Sequence, residues 1–202
     1  MTSPDWHKRL GVPADRPFVT FLGRLTRDKG VHRFLDAMED LPPEVRSFAI
    51  VGGVGPLHAT VAARFAPGAV LANRGRFVGE VPEQEKAALL TQSRVFVVPS
   101  MSDTSSVALL EAMACGVSCV VTNRGGPVEI ARASGAADIV DPEDIPALRL
   151  AIQQLLQEPA RAAEMATRGM AWVRREGSIE QTARLFDRLY REILADRTSN
   201  TP

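Results

Sequence analysis

Short runs of β-branched and aromatic residues recur along the first two thirds of the chain, each opening into a glycine-bearing or polar loop and then into residues with helical periodicity. The runs are Phe18 to Leu22, Phe48 to Val51, a weaker one at Arg76 to Val78, Val95 to Val98, Ser118 to Val121 and Ala137 to Val140. Helical patterns occur at Val31 to Met38, Pro56 to Phe65, Glu83 to Thr91, Val107 to Ala114 and Pro127 to Ala131. Strands alternating with helices form a parallel sheet covered on both faces, so the expected fold is α/β, a doubly wound, Rossmann-like sheet.

After Asp141-Pro142 the strand pattern stops, and helical stretches at Ile145 to Gln157, Ala160 to Arg175 and Ile179 to Ala195 predict a helical C-terminal extension. The expected organisation is a lead-in over 1–17, one domain over 18–197 and a frayed tail over 198–202. The 202 residues carry 24 basic and 24 acidic side chains. That balance argues against a dedicated nucleic-acid binder. The arginines from Arg161 to Arg197 are interleaved with Glu164, Glu176, Glu180, Asp187 and Glu192, as on a solvated helix surface. At 45% hydrophobic and 24% charged, the composition is that of one globular domain, either a whole protein or one domain of a two-domain enzyme. Cys115 and Cys119 lie in an apolar stretch with no partner pair to complete a metal site, and read as core thiols of a reducing compartment. The first residues lack an apolar h-region, and no run of apolar residues is long enough to span a bilayer.

In an open parallel sheet, ligands bind beyond the carboxyl ends of the strands, where helix N-termini present free N–H groups. The loop from Gly23 to Gly30 leaves the first strand, and its Arg24 and Lys29 could aim a fork and an ammonium at one phosphate or diphosphate. An ordinary turn with solvated charges would look the same. The loop Gly52-Gly53-Val54-Gly55-Pro56 allows a nucleotide site but fails as a dinucleotide fingerprint, since His58 stands where the last glycine is needed. Lys29 fails the Walker A pattern as well. The third loop, Pro99 to Ser106, runs into an apolar helix whose one acidic or basic side chain is Glu111. A carboxylate there needs donors or a cleft. Because helical side chains lean toward the N-terminus, and 104, 107, 108 and 111 would share a face, Glu111 is expected to reach back toward Asp103. Two acids converging there could accept bonds from sugar or ribose hydroxyls; alternatively Glu111 binds backbone amides and steadies a turn. The fourth loop, Thr122 to Glu129 with Gly125-Gly126-Pro127, suits either a turn beside a ligand or a plain strand-to-helix connection. His7, His32 and His58 read as surface histidines, with only His58 beside a candidate ligand loop.

Taken in order, Gly23-Arg24 with Lys29-Gly30, Val51 to Pro56, Arg76-Phe77-Val78-Gly79, Val97-Val98-Pro99-Ser100, Leu110 to Gly116, Gly125-Gly126 with Glu129 and the late Asp141-Pro142 resemble the donor-binding domain of GT-B glycosyltransferases, in particular the retaining enzymes of glycosyltransferase family 4. The resemblance covers most of the chain. It implies a nucleotide-sugar donor (UDP-, GDP- or ADP-linked) whose diphosphate is held by Arg24 and Lys29 and whose ribose is held by Glu111. Gly23 and Gly53 would let the donor approach the backbone, and the base would lie near Arg76 to Val78, against Phe77 and Val78. Asp103 takes the first place of the family's Glu-x7-Glu motif, on the donor sugar, with Ser105 and Ser106 touching sugar or phosphate. The catalytic set so implied is Arg24, Lys29 and Asp103, with no metal and no further cofactor. The implied location is cytoplasmic, peripheral to a membrane only through a partner.

Two departures qualify the resemblance. Asp103 is one methylene shorter than the family's Glu, and Ser106 replaces a glycine. Moreover, only Met1 to Pro17 precede the first strand, so the acceptor-binding half is expected to come from elsewhere, as another domain or a partner chain. The apolar stripe of Leu185, Phe186, Leu189, Tyr190, Ile193 and Leu194 would dock on it, self-associate, or fold back onto the domain's own helices. A non-catalytic interaction module that keeps the fold is the alternative reading. A nucleotide-sugar epimerase ranks behind both, because no acid and base for epimerisation stand out.

Overall fold

The computed structural model describes residues 4–177 together with 181, 183, 184 and 186–191. Six parallel strands form a single sheet: β1 (Phe18–Leu22), β2 (Phe48–Gly52), β3 (Gly75–Gly79), β4 (Ser93–Val98), β5 (Ser118–Thr122) and β6 (Ala137–Val140). Their order is β3-β2-β1-β4-β5-β6. All the expected strands are present, and the order reverses between β1 and β4, which opens a crevice at their carboxyl ends.

The helices are α1 (Trp6–Leu10), α2 (Val31–Glu39), α3 (His58–Ala63), α4 (Glu83–Thr91), α5 (Val107–Ala114), α6 (Gly125–Ser134), α7 (Ile145–Gln157) and α8 (Pro159–Glu176). Successive strand residues go to opposite faces. Thus Phe18 joins Phe48, Ile50, Trp6 and Leu89 in a small cluster roofed by α1 and α4, while Val19 and Phe21 enter the main core. The stripe Leu148, Ala151, Ile152 and Leu155 fixes the buried face of α7, and Ala162, Met165, Ala166 and Gly169 fix that of α8. Asp144 starts α7 by accepting the Ala147 N–H at 2.8 Å.

Three details depart from the expectations above. The lead-in contains α1, capped by Asp5 and tied down where Gln92 Oε1 accepts the Trp6 N–H at 2.8 Å. Five residues are too few to show a period. Pro56 and Leu57 lie in a turn ahead of α3, and α6 starts at Gly125, ahead of its proline. Ile179, Leu185, Ile193, Leu194 and the tail lie outside the described residues. Of the stripe, Phe186, Leu189 and Tyr190 are exposed, with the two rings stacked at 6.1 Å.

Candidate functional site

The loops at the carboxyl edge brace one another. Gly30, at φ 73°, opens α2, and a Cβ added to it would lie 1.9 Å from the Pro99 carbonyl oxygen. The Met101 N–H donates to the Asp28 carbonyl at 2.7 Å and locks the loop after β1 to the loop after β4. On the other side the Gly126 N–H donates to the Asp103 carbonyl at 2.7 Å, and a Cβ on Gly126 would sit 2.1 Å from the Thr104 oxygen. Thr122 Oγ1 donates to the Ser100 carbonyl. Only glycine permits such backbone contact. The loop from Thr122 to Glu129 therefore acts as a support beneath the Asp103 loop.

Two adjoining cavities occupy the crevice. The first, of about 350 Å³, is lined by Arg24, Gly53, Glu80, Lys86 and Glu111 among others. The second, of about 260 Å³, is lined by Lys29, Asp103, Ser105 and Ser106. Gly23, Arg24, Val107 and Ala108 border both, so Arg24 stands where the two meet. No described residue forms an ion pair or hydrogen bond with its guanidinium. Lys29, Asp103, Lys86 and Glu111, by contrast, are paired. Lys29 Nζ lies 2.8 Å from Asp103 Oδ2, whose side chain is 9% exposed. Lys86 Nζ lies 2.5 Å from Glu83 Oε2 and 3.6 Å from Glu111 Oε1. The hydrogen bond to Glu83, followed by the charge of Glu111, holds the Lys86 ammonium above the ordinary lysine range despite partial burial.

The two acids do not converge as expected. Helix α5 begins only at Val107, capped by Ser106, whose Oγ accepts the Leu109 N–H at 3.3 Å. Thr104 is thus outside the helix and the shared face loses its first member. Asp103 is drawn to Lys29, whereas Glu111 turns toward Lys86 on the neighbouring α4. Each carboxylate lines its own cavity, with Arg24 between them.

Phe77 and Val78 line neither cavity. Phe77 packs at the rim of the main core and meets the His58 ring edge-on at 4.9 Å, while Val78 packs on the smaller cluster. The residues just beyond, Glu80 and Val81, reach the first cavity instead. Lys86 and Glu80 are not legible in the sequence as site residues, because a lysine among glutamates looks like a solvated helix face. Only the sheet order, which sets α4 against α5, reveals them. Burial raises both thiols: Cys119 is fully buried and far above the usual cysteine range, and half-buried Cys115 is raised by desolvation with a smaller effect from Glu111. Among the described residues no cluster of His, Cys, Asp and Glu could hold a metal ion, and no helix is long and apolar enough to cross a membrane.

The family model "Glycosyl transferases group 1" matches residues 2–172. A GDP-mannose-dependent alpha-(1-6)-phosphatidylinositol monomannoside mannosyltransferase of Mycolicibacterium smegmatis is 33% identical over 174 residues, covering 82% of this chain and 45% of the relative. The alpha-maltose-1-phosphate synthase of the same organism is 31% identical over 196 residues, covering 92% and 50%. Among solved structures, sucrose-phosphate synthase from Thermosynechococcus elongatus superposes with a TM-score of 0.81 at 28% identity, over 94% of this chain and 48% of that one. The Anabaena protein HepE, solved with UDP and glucose, shares the fold with a TM-score of 0.78 at 20% identity, over 91% and 50%. The chain spans about half the length of the relatives it matches.

Proposed function

The chain belongs to the group 1 glycosyl transferases, and from that premise we propose that these residues are the donor-binding, C-terminal half of a retaining, metal-independent enzyme of family 4. The observation that carries the proposal is the position of Arg24, a cation with no ion-pair or hydrogen-bond partner among the described residues, on the border of one cavity lined by Glu111 and another lined by Lys29 and Asp103. An elongated ligand with its negative charge at the centre fits that arrangement. The nucleoside fills the first cavity, its ribose hydroxyls donating to Glu111 and its base directed toward Glu80 and Val81. The diphosphate crosses Arg24 within reach of Lys29. The hexosyl group enters the second cavity beside Asp103, Ser105 and Ser106.

In the transfer, the bond from the anomeric carbon to the diphosphate oxygen breaks and the electron pair leaves with the diphosphate. Arg24, Lys29 and the N-terminal ends of α2 and α5 stabilise that charge as it develops. The acceptor oxygen bonds the anomeric carbon on the face just vacated and passes its proton to the departing diphosphate oxygen. A further domain of the same protein, or a partner chain, holds the acceptor, and the exposed Phe186, Leu189 and Tyr190 face docks on it. The reaction runs in the cytoplasm, at a membrane only through that partner.

The second reading, a non-catalytic module, draws on the same loop: Asp103 is engaged by Lys29, and the Ser106 hydroxyl serves as a helix cap. Calorimetric titration with UDP, GDP and ADP separates the two. Donor binding requires saturable binding of at least one diphosphate, weakened about tenfold or more by Arg24→Ala, as loss of a charge-assisted bond demands. A module that ignores nucleotides binds none.

A further inference from the structure

Three arginines gather at the amino edge of the sheet, opposite the two cavities of the crevice. Arg16 stands two residues ahead of β1, Arg46 two residues ahead of β2, and Arg74 one residue ahead of β3. These strands are neighbours, paired in parallel with Phe18 beside Phe48 and Ala49 beside Gly75. Counting back along that register sets Arg16 level with Arg46, and Arg74 level with Phe48. The topology thus brings to one place three cations that are far apart in the chain.

Together with Pro13, Pro43 and Val45 they line a cavity of about 270 Å³. Two of the guanidinium planes are fixed by neutral partners. Arg16 Nε donates to the Ser47 carbonyl at 2.9 Å, with its guanidinium 5.4 Å over the Phe48 ring, and Arg74 Nη2 donates to the Leu41 carbonyl at 2.8 Å. Asp15, which pairs with Arg46 at 2.8 Å near the surface, is the one carboxylate paired with any of the three among the described residues. Two of the three positive charges therefore have no carboxylate in an ion pair among the described residues, in a chain that is neutral as a whole. Arg16 registers the crowding: it falls below the ordinary arginine range through burial first, then through Arg74 and Arg46, with Asp15 opposing. Each fork keeps N–H groups beyond those spent on the backbone.

We propose that this edge is a second anion site, in which Arg16, Arg46 and Arg74 bind a phosphate dianion, free or carried on a small organic stem or a lipid headgroup. Guanidinium forks match phosphate oxygens pairwise, and a dianion cancels the repulsion that the register imposes. The cavity lies just below the roughly 300 Å³ at which pockets for larger organic ligands begin, which suits a phosphate with a short stem. The proposal does not depend on the donor site.

The test is a titration of the ¹⁵N-labelled full chain with inorganic phosphate, read residue by residue in ¹H–¹⁵N spectra. Saturable shifts are expected at the amides of Arg16, Ser47 and Gly75, with affinity about tenfold weaker in Arg46→Gln. Arg46 is exposed and its one described partner is Asp15, so this variant folds; Arg74→Gln provides an independent check. A parallel arm measures co-sedimentation with phosphatidylcholine vesicles with and without phosphatidic acid. Binding to the acidic vesicles alone, lost in Arg46→Gln, assigns the site to a headgroup, whereas saturation by free phosphate assigns it to a soluble ligand. Absence of both, or shifts that Arg46→Gln and Arg74→Gln leave unchanged, overturns the proposal.

Discussion

Gly126 illustrates how a single missing side chain holds the crevice together. Inside a helix, replacing glycine by alanine ordinarily stabilises by up to about 1 kcal/mol. Here the new Cβ would fall 2.1 Å from the Thr104 oxygen, in backbone that cannot swing aside. The contact reverses the sign: Gly126→Ala is expected to destabilise by about 1–3 kcal/mol, seen as a lower urea midpoint, and a raised midpoint would show that the loops are not braced there. Cys119 gives a second test at this scale. Its thiol stays protonated in the folded chain well above the pH at which an unfolded cysteine ionises. Above about pH 8.5 the unfolded state therefore holds fewer protons than the native one, and stability must fall as pH rises, by up to about 1.4 kcal/mol per unit. Urea unfolding from pH 8 to 10 is expected to show this slope in the parent and a shallower one in Cys119→Ala. Equal slopes would remove Cys119 as the cause.

At the scale of elements, α5 is the helix both cavities lean on, since Val107 and Ala108 border each of them. Its start depends on the Ser106 cap. Ser106→Ala is expected to cost about 1 kcal/mol and Ser106→Gly only a few tenths, so thermal melts should rank glycine above alanine. The reverse order would mean that the hydroxyl has another role. The elements themselves were largely legible in the sequence. Runs such as Phe48 to Val51 and Val95 to Val98 are too short and too β-branched for buried helices, and a glycine or proline closes each. What stayed hidden was relative placement. A helical wheel puts Thr104 on one face with Glu111 because it cannot know that Ser106, not an earlier residue, opens α5. Lys86 becomes a neighbour of Glu111 only through the strand order that sets α4 beside α5. Phe77 and Val78 are placed by resemblance to a motif, and the chain turns toward the cavity two or three residues beyond Val78, at Glu80 and Val81.

For the molecule as a whole, the sheet separates two charged regions. The carboxyl edge carries the crevice with its carboxylates and Arg24, and the amino edge carries the arginines ahead of β1, β2 and β3. The strand-order reversal makes the crevice, while the parallel register of β1, β2 and β3 makes the cationic edge. The proposed function rests on a single ligand being held at two points of the crevice, by Glu111 at its ribose and by Arg24 at its diphosphate. The most direct measurement is the affinity of the best-bound nucleoside diphosphate and of its parent nucleoside for the wild type, Arg24→Ala and Glu111→Ala. Arg24→Ala should weaken the diphosphate about tenfold or more and leave the nucleoside unchanged, whereas Glu111→Ala should weaken both by a similar factor. Nucleoside affinity lost in Arg24→Ala, or diphosphate affinity untouched in Glu111→Ala, would contradict it.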